Sequence, residues 1–245
     1  MKKRFLSLMV FILFLTFIFF NNEDNSLIVS KLEDDDIKYI AFTFDDGPSR
    51  YTNELLDGLK ERDVKVTFFL LGCLCEKYPE TVKRIVKEGH QIGNHGYDHQ
   101  ILSRLKQDEI ESQIKKTNQI IKKITGVEPE IIRPAYGIYN HRMAKYIKMP
   151  IILWSIDTMD WRLRNSKRIY RNNVNKIKDG DIILFHDKFK SSIKSALMLI
   201  DELMDEGYEF LTISDLAKTK NITLKQTKEY FYFSDSVLKI YPPCP

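Results

Sequence analysis

The sequence predicts an α/β fold in which a parallel sheet closes into a barrel. From Ile37 onward, short runs rich in β-branched and aromatic residues alternate with longer amphipathic stretches, a pattern typical of β-α-β units. Runs such as Ile182–Phe185 are apolar on both faces, as strands of a sheet covered by helices should be. Six or seven such units fit a barrel, and no Gly-rich phosphate loop opens any of them.

The apolar runs predict seven strands. In chain order they are Lys38–Phe44, Lys65–Leu71, Gln91–Gly93, Ile131–Arg133, Ile151–Ser155, Asp181–Phe185 and Glu209–Thr212. The amphipathic stretches predict helices between successive strands, which is the connection that parallel strands require. These helices are Tyr51–Glu61, Pro79–Lys87, Lys106–Ile124, His141–Lys148, Lys167–Lys176 and Ser191–Glu206.

Length and composition place the chain among core-forming globular proteins. It has 245 residues, of which 43% are hydrophobic and 29% charged, so a disordered or fibrous chain is excluded. The 38 basic and 34 acidic residues nearly cancel, which argues against a nucleic-acid partner. Three cysteines cannot form a disulfide framework, and their spacing matches no zinc knuckle. An enzyme or a binding module remains.

The first 24 residues predict a signal peptide or an N-terminal membrane anchor. Three basic residues, Lys2 to Arg4, precede the run Phe5–Phe20, in which 14 of 16 residues are apolar, and this is the pattern of an export signal. As a helix the run would reach about 24 Å, short of the ~30 Å hydrocarbon core. No A-x-A cleavage site follows, which favours an uncleaved anchor over a cleaved signal. In both cases the remaining chain is exported and faces outward.

Residues 25–36 are predicted to be a linker, residues 37–217 the folded domain, and residues 218–245 a C-terminal tail. The acidic run at 33–36 lacks the alternating ligands and the turning glycine of an EF-hand loop, so we interpret it as solvated linker. The tail is expected to do no more than pack or remain disordered.

Chemistry-bearing residues follow five of the seven predicted strands. In an α/β barrel the carboxyl ends of the strands meet on one face, where active sites form. Each pattern is common by itself, but their joint occurrence directly after strands predicts one site. The segments are Asp45–Pro48, Asn94–His99, Arg133–Gly137, Asp157–Trp161 and His186-Asp187.

Two of these segments carry metal-ligand chemistry. Asp45 and Asp46 are adjacent carboxylates at the end of an apolar strand, and they are costly to desolvate without compensation. His95 and His99 lie at i and i+4 in the second segment. If that segment forms a helical turn, both imidazoles face the same way and can share a metal. A thiolate ligand from the pair at 73 and 75 is the weaker alternative, because three better ligands already exist.

These motifs resemble those of the NodB-homology polysaccharide deacetylases, carbohydrate esterase family four. The resemblance covers about residues 37–216 and implies a distorted (β/α)7 barrel. Two positions depart from the family pattern: Gly96 replaces a hydroxyl residue, which bears on the rigidity of its loop, and Ala135 replaces a proline. The five matching segments are Thr43–Pro48, His95–His99, Arg133–Gly137, Asp160-Trp161 and Leu184–His186.

The resemblance and the residue chemistry imply the same metal centre and the same base. Asp46, His95 and His99 supply one carboxylate and two imidazoles, the three-ligand open site of a catalytic ion. Zn²⁺ is the expected cofactor, with Co²⁺ or another divalent ion as the alternative. Asp45 is the expected base that takes a proton from water, and Arg133 would pair with it and keep it ionised.

The remaining roles concern the leaving group and the acetyl group. His186 would protonate the leaving amine, with Asp160 orienting it and keeping it cationic. The backbone N–H of Tyr136 would stabilise the tetrahedral oxyanion. Trp161 and Leu184 would form the apolar pocket for the acetyl methyl group.

The expected partner is an N-acetylated polysaccharide, and the products are acetate and a free amine. An exported deacetylase meets cell-wall glycan first, so the N-acetylglucosamine or N-acetylmuramic acid of peptidoglycan is the leading substrate. Chitin oligomers and O-acetylated xylan are the alternatives. A glycan-binding protein that has lost catalysis is a further alternative, but the complete set of catalytic residues weighs against it.

Overall fold

The computed structural model describes residues 37–234, and in this part of the chain parallel strands alternate with helices. The strands are β1 Lys38–Gly47, β2 Thr67–Leu70, β3 Gln91–Asn94, β4 Ile151–Ile152, β5 Ile156–Asp157, β6 Ile182–His186, β7 Tyr208–Phe210 and β8 Glu229–Tyr230. The α-helices are α1 Thr52–Glu61, α2 Gly72–Lys77, α3 Pro79–Lys87, α4 Gln107–Thr125, α5 His141–Ala144, α6 Asp160–Leu163, α7 Ser166–Asn173, α8 Lys190–Asp205 and α9 Ile213–Thr219. Short 3₁₀ turns lie at Leu102–Arg104 and Ala135–Gly137.

The main sheet has the strand order β3-β2-β1-β6-β5, and every pairing in it is parallel. The first residues of β1 pair with β7, and its last residues pair with β2. The register sets Asp45 opposite His186 on the neighbouring strand β6. The predicted α/β class with a parallel sheet is therefore confirmed, and the carboxyl ends of β1 and β6 lie side by side.

The barrel is irregular between β3 and β5. The predicted strand Ile131–Arg133 contributes only single-residue bridges, in which Ile132 pairs with β3 and with β4. The predicted strand Ile151–Ser155 is wrong in extent: β4 covers only Ile151–Ile152, and β5 begins just after the predicted strand ends. A physical reason lies in the side chain of Arg133, whose guanidinium binds the carbonyls of Ile152 and Leu153 and so takes acceptors that a strand partner would use.

Stacked aromatic rings hold β1 in place. Phe44 lies between Phe68 of β2 and Phe185 of β6, with ring centroids 5.5 and 5.6 Å apart, and all three side chains are fully buried. Burial of each such ring stabilises the fold by roughly 1.5–3 kcal/mol. Because side chains alternate along a strand, Thr43 and Asp45 face the opposite side, toward Arg133.

Several elements differ from the sequence-based expectation. Helices α2, α6 and α9 and strand β8 were not predicted, and the helix predicted at His141–Lys148 ends at Ala144. Strand β8 pairs with β4, and Tyr230 and Phe233 are buried against the barrel. Within residues 37–234, no helix is both long and apolar enough to span a bilayer. The expected anchor, the linker and the last residues of the tail, from 235 onward, lie outside the described residues.

Candidate active site

The structure brings together the polar residues that the sequence placed at the strand ends. Asp45 and Asp46 lie at the carboxyl end of β1, His95 and His99 follow β3, and His186 ends β6. The side chains of Asp45, Asp46 and His95 are at most 7% exposed. Charged groups buried to this extent need partners, and each of them has one in the site.

Asp46, His95 and His99 form a ligand cluster. Their ligand atoms all lie within 4.8 Å of one another, and elsewhere in residues 37–234 no other trio of His, Cys, Asp or Glu side chains does so. Asp46 Oδ1 is 3.3 Å from His95 Nε2 and 2.9 Å from His99 Nε2. The cluster includes neither cysteine of the pair at 73 and 75.

The donor set of this cluster fits a divalent metal. His95 Nδ1 lies 2.6 Å from the carbonyl oxygen of Arg133, and because a carbonyl only accepts, Nδ1 carries the proton. The lone pair of Nε2 therefore faces Asp46 Oδ1, a buried oxygen that receives no hydrogen bond from the described residues. Two lone pairs that face each other repel, and a cation bound between them would remove this repulsion. A backbone carbonyl on the second imidazole nitrogen is also the usual support of a metal-binding histidine.

Burial would by itself raise the pKa of Asp46. The two imidazoles beside it outweigh that effect and lower this pKa well below its usual range. Asp46 is therefore an anion, as a metal ligand must be.

The two histidines converge without the helical turn that the sequence suggested. Residues 95–99 form a bend, in which Gly96 and His99 adopt left-handed backbone angles with φ of 84° and 64°. Gln113 of α4 braces this bend: its Oε1 accepts from the Tyr97 backbone N–H and its Nε2 donates to Asp98, at 2.7 and 2.8 Å. Sequence reasoning missed Gln113, because nothing local marks a helix glutamine as a loop brace.

Backbone strain is concentrated at the site. Asp46, His99 and Tyr136 all have φ near +60°, a region that costs non-glycine residues of order 1–3 kcal/mol and is common at functional positions. Tyr136 lies in the 3₁₀ turn after Arg133, and its ring centroid is 4.4 Å from that of His99. Its side chain is 60% exposed, so the turn borders both the ligand cluster and solvent.

Asp45 is paired with a fully buried arginine. Arg133 Nη1 donates to Asp45 Oδ1 and to Thr43 Oγ1, both at 2.8 Å. The rest of the guanidinium binds two backbone carbonyls and lies over the ring of Phe69. Burial lowers the pKa of Arg133 and the charge of Asp45 raises it, but a guanidinium stays protonated at any ordinary pH. The predicted pair is present.

His186 is held by Asp160. His186 Nδ1 is 2.8 Å from Asp160 Oδ1, and its backbone N–H donates to Asp160 Oδ2 at 2.8 Å. Burial by itself would lower the pKa of His186, but the hydrogen bond and charge of Asp160, with the charges of Asp45 and Asp46, outweigh it and raise that pKa. The imidazole is therefore poised to carry a proton.

The predicted apolar pocket consists of one buried and one exposed residue. Leu184 lies within β6 and is 3% exposed, whereas Trp161 is 44% exposed. The Trp161 backbone N–H donates to Asp160 Oδ1 at 2.7 Å, which fixes the start of the short helix α6 beside His186. That the two side chains receive an acetyl methyl group stays a prediction.

Two further side chains belong to the site: Lys188 was missed from the sequence, and Asp187 was named there only as part of a segment, without a role. Lys188 Nζ donates to Asp46 Oδ2. Asp187 is fully buried, and burial raises its pKa to about 7 although Thr52 donates a hydrogen bond to it. A side chain at position 47 would come within 2.5 Å of Asp187 Oδ2, so only glycine fits there. Both contacts join residues more than 130 positions apart, and no local pattern reveals them.

Comparisons with known proteins agree with this geometry. Residues 33–149 match the family model described as polysaccharide deacetylase. The chain is 42% identical over 196 residues to the peptidoglycan-N-acetylmuramic acid deacetylase PdaC of Bacillus subtilis, covering 80% of this chain and 42% of that protein. It is also 42% identical over 200 residues to the peptidoglycan-N-acetylglucosamine deacetylase PgdA of Listeria monocytogenes, covering 81% of this chain and 42% of that protein.

The fold matches as well as the sequence. The solved structure of PdaC from Bacillus subtilis superposes with a TM-score of 0.74 at 43% identity, covering 75% of this chain and 92% of that one. The chain spans about two fifths of the length of the two curated relatives, so the likeness concerns part of each. On this evidence the chain belongs to the polysaccharide deacetylase family, carbohydrate esterase family four.

Proposed function

We propose that this chain is a metal-dependent N-deacetylase that removes acetyl groups from the N-acetylated sugars of peptidoglycan. One observation carries the proposal. A carboxylate paired with a buried arginine and an imidazole paired with a buried carboxylate lie on neighbouring strands beside one cluster of metal ligands. That is the set of groups that metal-assisted amide hydrolysis uses, namely a base, an acid and a metal.

The ligand cluster would hold one divalent ion. Its single carboxylate and two imidazoles suit Zn²⁺, with Co²⁺ as a substitute. When bound, such an ion polarises the acetyl carbonyl and acidifies a water. The three residues that would hold it are Asp46, His95 and His99.

Asp45 is proposed as the base. Its Oδ1 is occupied by Arg133, while its Oδ2 lies 3.7 Å from His95 Nε2, on the side of the ligand cluster. Oδ2 is thus the oxygen that can take a proton from a water bound beside the ligands. Arg133 fixes the orientation of the carboxylate, which leaves one oxygen in a defined place.

His186 is proposed as the acid. In the reaction the water oxygen joins the acetyl carbon, one water proton passes to Asp45, and the C–N bond breaks as the amine nitrogen receives a proton from His186. With Nδ1 bound to Asp160, the proton available to the amine is the one on Nε2. Asp160 raises the pKa of this imidazole together with the nearby carboxylates, so more of it is protonated near neutral pH.

Two further roles complete the proposal. The backbone N–H of Tyr136 would donate to the oxyanion, and the strained φ of 62° at this residue is the kind of geometry found where a backbone group is aimed at a reacting atom. Trp161 and Leu184 would contact the acetyl methyl group on the acid side of the site.

The substrate is proposed from the relatives, which are named as acting on N-acetylmuramic acid in one case and on N-acetylglucosamine in the other. The test is acetate release from four substrates: peptidoglycan, soluble N-acetylglucosamine oligomers, N-acetylmuramic acid glycans and acetylated xylan. Each is assayed with and without a chelator. Release from peptidoglycan that the chelator abolishes and Zn²⁺ restores is expected. Release from xylan alone would assign an O-acetyl esterase, and release from none would favour a glycan-binding protein.

We also propose that the chain is exported and attached to the membrane with its folded domain outside. The basic residues and the apolar run of residues 2–20 support this placement, and cell-wall glycan lies where the domain would then be. The alternative, a secreted chain with a cleaved signal, places the domain on the same side of the membrane.

A further inference from the structure

We propose that Lys188 is a positioning residue that neutralises Asp46 and thereby weakens the binding of the metal. This inference rests on the metal centre of the proposed function. The two oxygens of Asp46 are divided: Oδ1 faces the imidazoles of His95 and His99, and Oδ2 accepts a hydrogen bond from Lys188 Nζ. One carboxylate would therefore serve two cations.

Three carboxylates of the site each have a basic partner in the structure. Asp45 is paired with Arg133, and Asp160 with His186. Asp46, the one carboxylate among the three ligands, is paired with Lys188. A divalent ion entering the cluster therefore meets a ligand carboxylate whose charge is already neutralised by Lys188.

The position of Lys188 brings its charge next to the ligand cluster. The Asp46 side chain is 7% exposed, and the Lys188 side chain, at 41% exposed, reaches it from the rim of the site. Around a buried carboxylate the local dielectric is low, so a fixed ammonium a few ångströms from the ion repels it more strongly than it would in water. At the same time the hydrogen bond to Oδ2 leaves Oδ1 as the oxygen that can bind the metal. Lys188 thus directs Asp46 toward one binding mode and lowers the affinity of that mode.

The experiment measures Zn²⁺ affinity, which does not depend on turnover. The full-length chain is stripped of metal, and its dissociation constant for Zn²⁺ is determined by competition with a chromophoric chelator. Lys188→Met keeps much of the side-chain length and removes the charge, so we expect it to bind Zn²⁺ at least tenfold more tightly. Lys188→Gln removes the charge but can still donate a hydrogen bond, and we expect it to tighten binding as well. Lys188→Arg keeps the charge and should stay within threefold of the unchanged chain.

Lys190→Met is the matched control. Lys190 lies two residues further along, and its ammonium is 3.9 Å from Glu54 rather than beside a ligand carboxylate. This variant changes the net charge by the same amount, and its Zn²⁺ affinity should not move. A second readout is the rise in melting temperature on adding saturating Zn²⁺, which should be larger for Lys188→Met than for the control, because tighter ligand binding to the native state stabilises it more.

The outcomes separate the two proposals. Unchanged or weaker Zn²⁺ binding by both neutral variants would overturn the role of Lys188 and leave the metal centre intact. Equal tightening by Lys190→Met would also overturn it, since a general charge effect would then suffice. Failure of every chain, including the unchanged one, to bind Zn²⁺ would overturn the metal centre itself and this inference with it.

Discussion

Replacement of Asp160 by asparagine tests the assignment of the acid. The Asp160 side chain is fully buried, and its two oxygens accept hydrogen bonds from His186 Nδ1 and from the His186 backbone N–H, both at 2.8 Å. Oδ1 also accepts from the backbone N–H of Trp161. An asparagine has one oxygen for these donors and places an N–H₂ group against the others. The variant thus loses both a charge and an acceptor.

The size of the effect follows from these contacts. A hydrogen bond to a charged group contributes about 1.5–3 kcal/mol, which corresponds to roughly tenfold to a hundredfold in an equilibrium or a rate. We therefore expect kcat/KM at its pH optimum to fall by about that factor. Because Asp160 contributes to the raised pKa of His186, the alkaline limb of the pH profile should also move to lower pH.

The assay is acetate release from an N-acetylated glycan, measured as kcat/KM across pH with the Zn²⁺ content of each sample determined. Asp160 is not one of the three metal ligands, so its variant should retain the metal. His186→Ala is the companion variant and should lose the alkaline limb altogether while keeping the acid limb. An O-acetyl substrate, whose alkoxide needs a proton less than an amine does, should be affected less. An Asp160→Asn enzyme with the same alkaline limb and kcat/KM within twofold would refute the assignment.

Three other predictions concern the loop brace, the core and the N-terminal segment. Gln113→Leu removes both hydrogen bonds that brace the loop of His95 and His99, and we expect Zn²⁺ affinity in chelator competition to fall about tenfold to a hundredfold. Gln107→Leu, on the exposed start of the same helix, is the control. Equal Zn²⁺ affinities of the Gln113→Leu variant and the control would contradict the brace. His90 is buried beside Val66, and burial lowers its pKa to about 4, so the unfolded chain binds a proton there below about pH 6.5 and the folded chain does not. The free energy of unfolding should accordingly fall by up to about 3 kcal/mol as the pH drops from 7 to 4. Urea unfolding should show this loss in the unchanged chain but not in His90→Asn, which keeps an acceptor for the Val66 N–H. The same pH dependence of stability in both chains would contradict this assignment. The full chain should fractionate with membranes and be digested by protease added outside intact cells, whereas mature chains that begin between residues 22 and 30 would show a cleaved signal instead.

Alternation of strands and helices could be predicted from the sequence because the central strands β1, β2 and β6 are buried on both faces. The predicted strands Lys38–Phe44 and Asp181–Phe185 agree closely with β1 and β6. The residues at their carboxyl ends were expected to lie close together, because active sites of α/β barrels form at those ends. The candidate ligands and the two acid–base pairs could be named for the same reason. They lie at or shortly after the ends of predicted strands.

Elements that depend on distant partners could not be predicted. The segment Ile131–Arg133 has the apolar pattern of a strand, but Arg133 takes two carbonyl groups of the next segment and leaves single-residue bridges. Strand β8 is two residues long and pairs with β4, a segment nearly 80 positions earlier in the chain. Lys188 reaches its carboxylate across 142 positions of sequence, and periodicity carries no information about such a contact.

The central claim is that Asp45 acts as the base beside a metal held by other residues, and one comparison tests it most directly. Asp45→Asn keeps an oxygen that can accept from Arg133, so the buried guanidinium retains a partner and the fold should persist. Zn²⁺ bound per chain and acetate released from peptidoglycan are measured on the same samples of this variant and the unchanged chain. We expect equal Zn²⁺ content and a loss of about 10²–10⁴ in rate. Near-normal acetate release by a fully Zn²⁺-loaded Asp45→Asn chain would contradict the account.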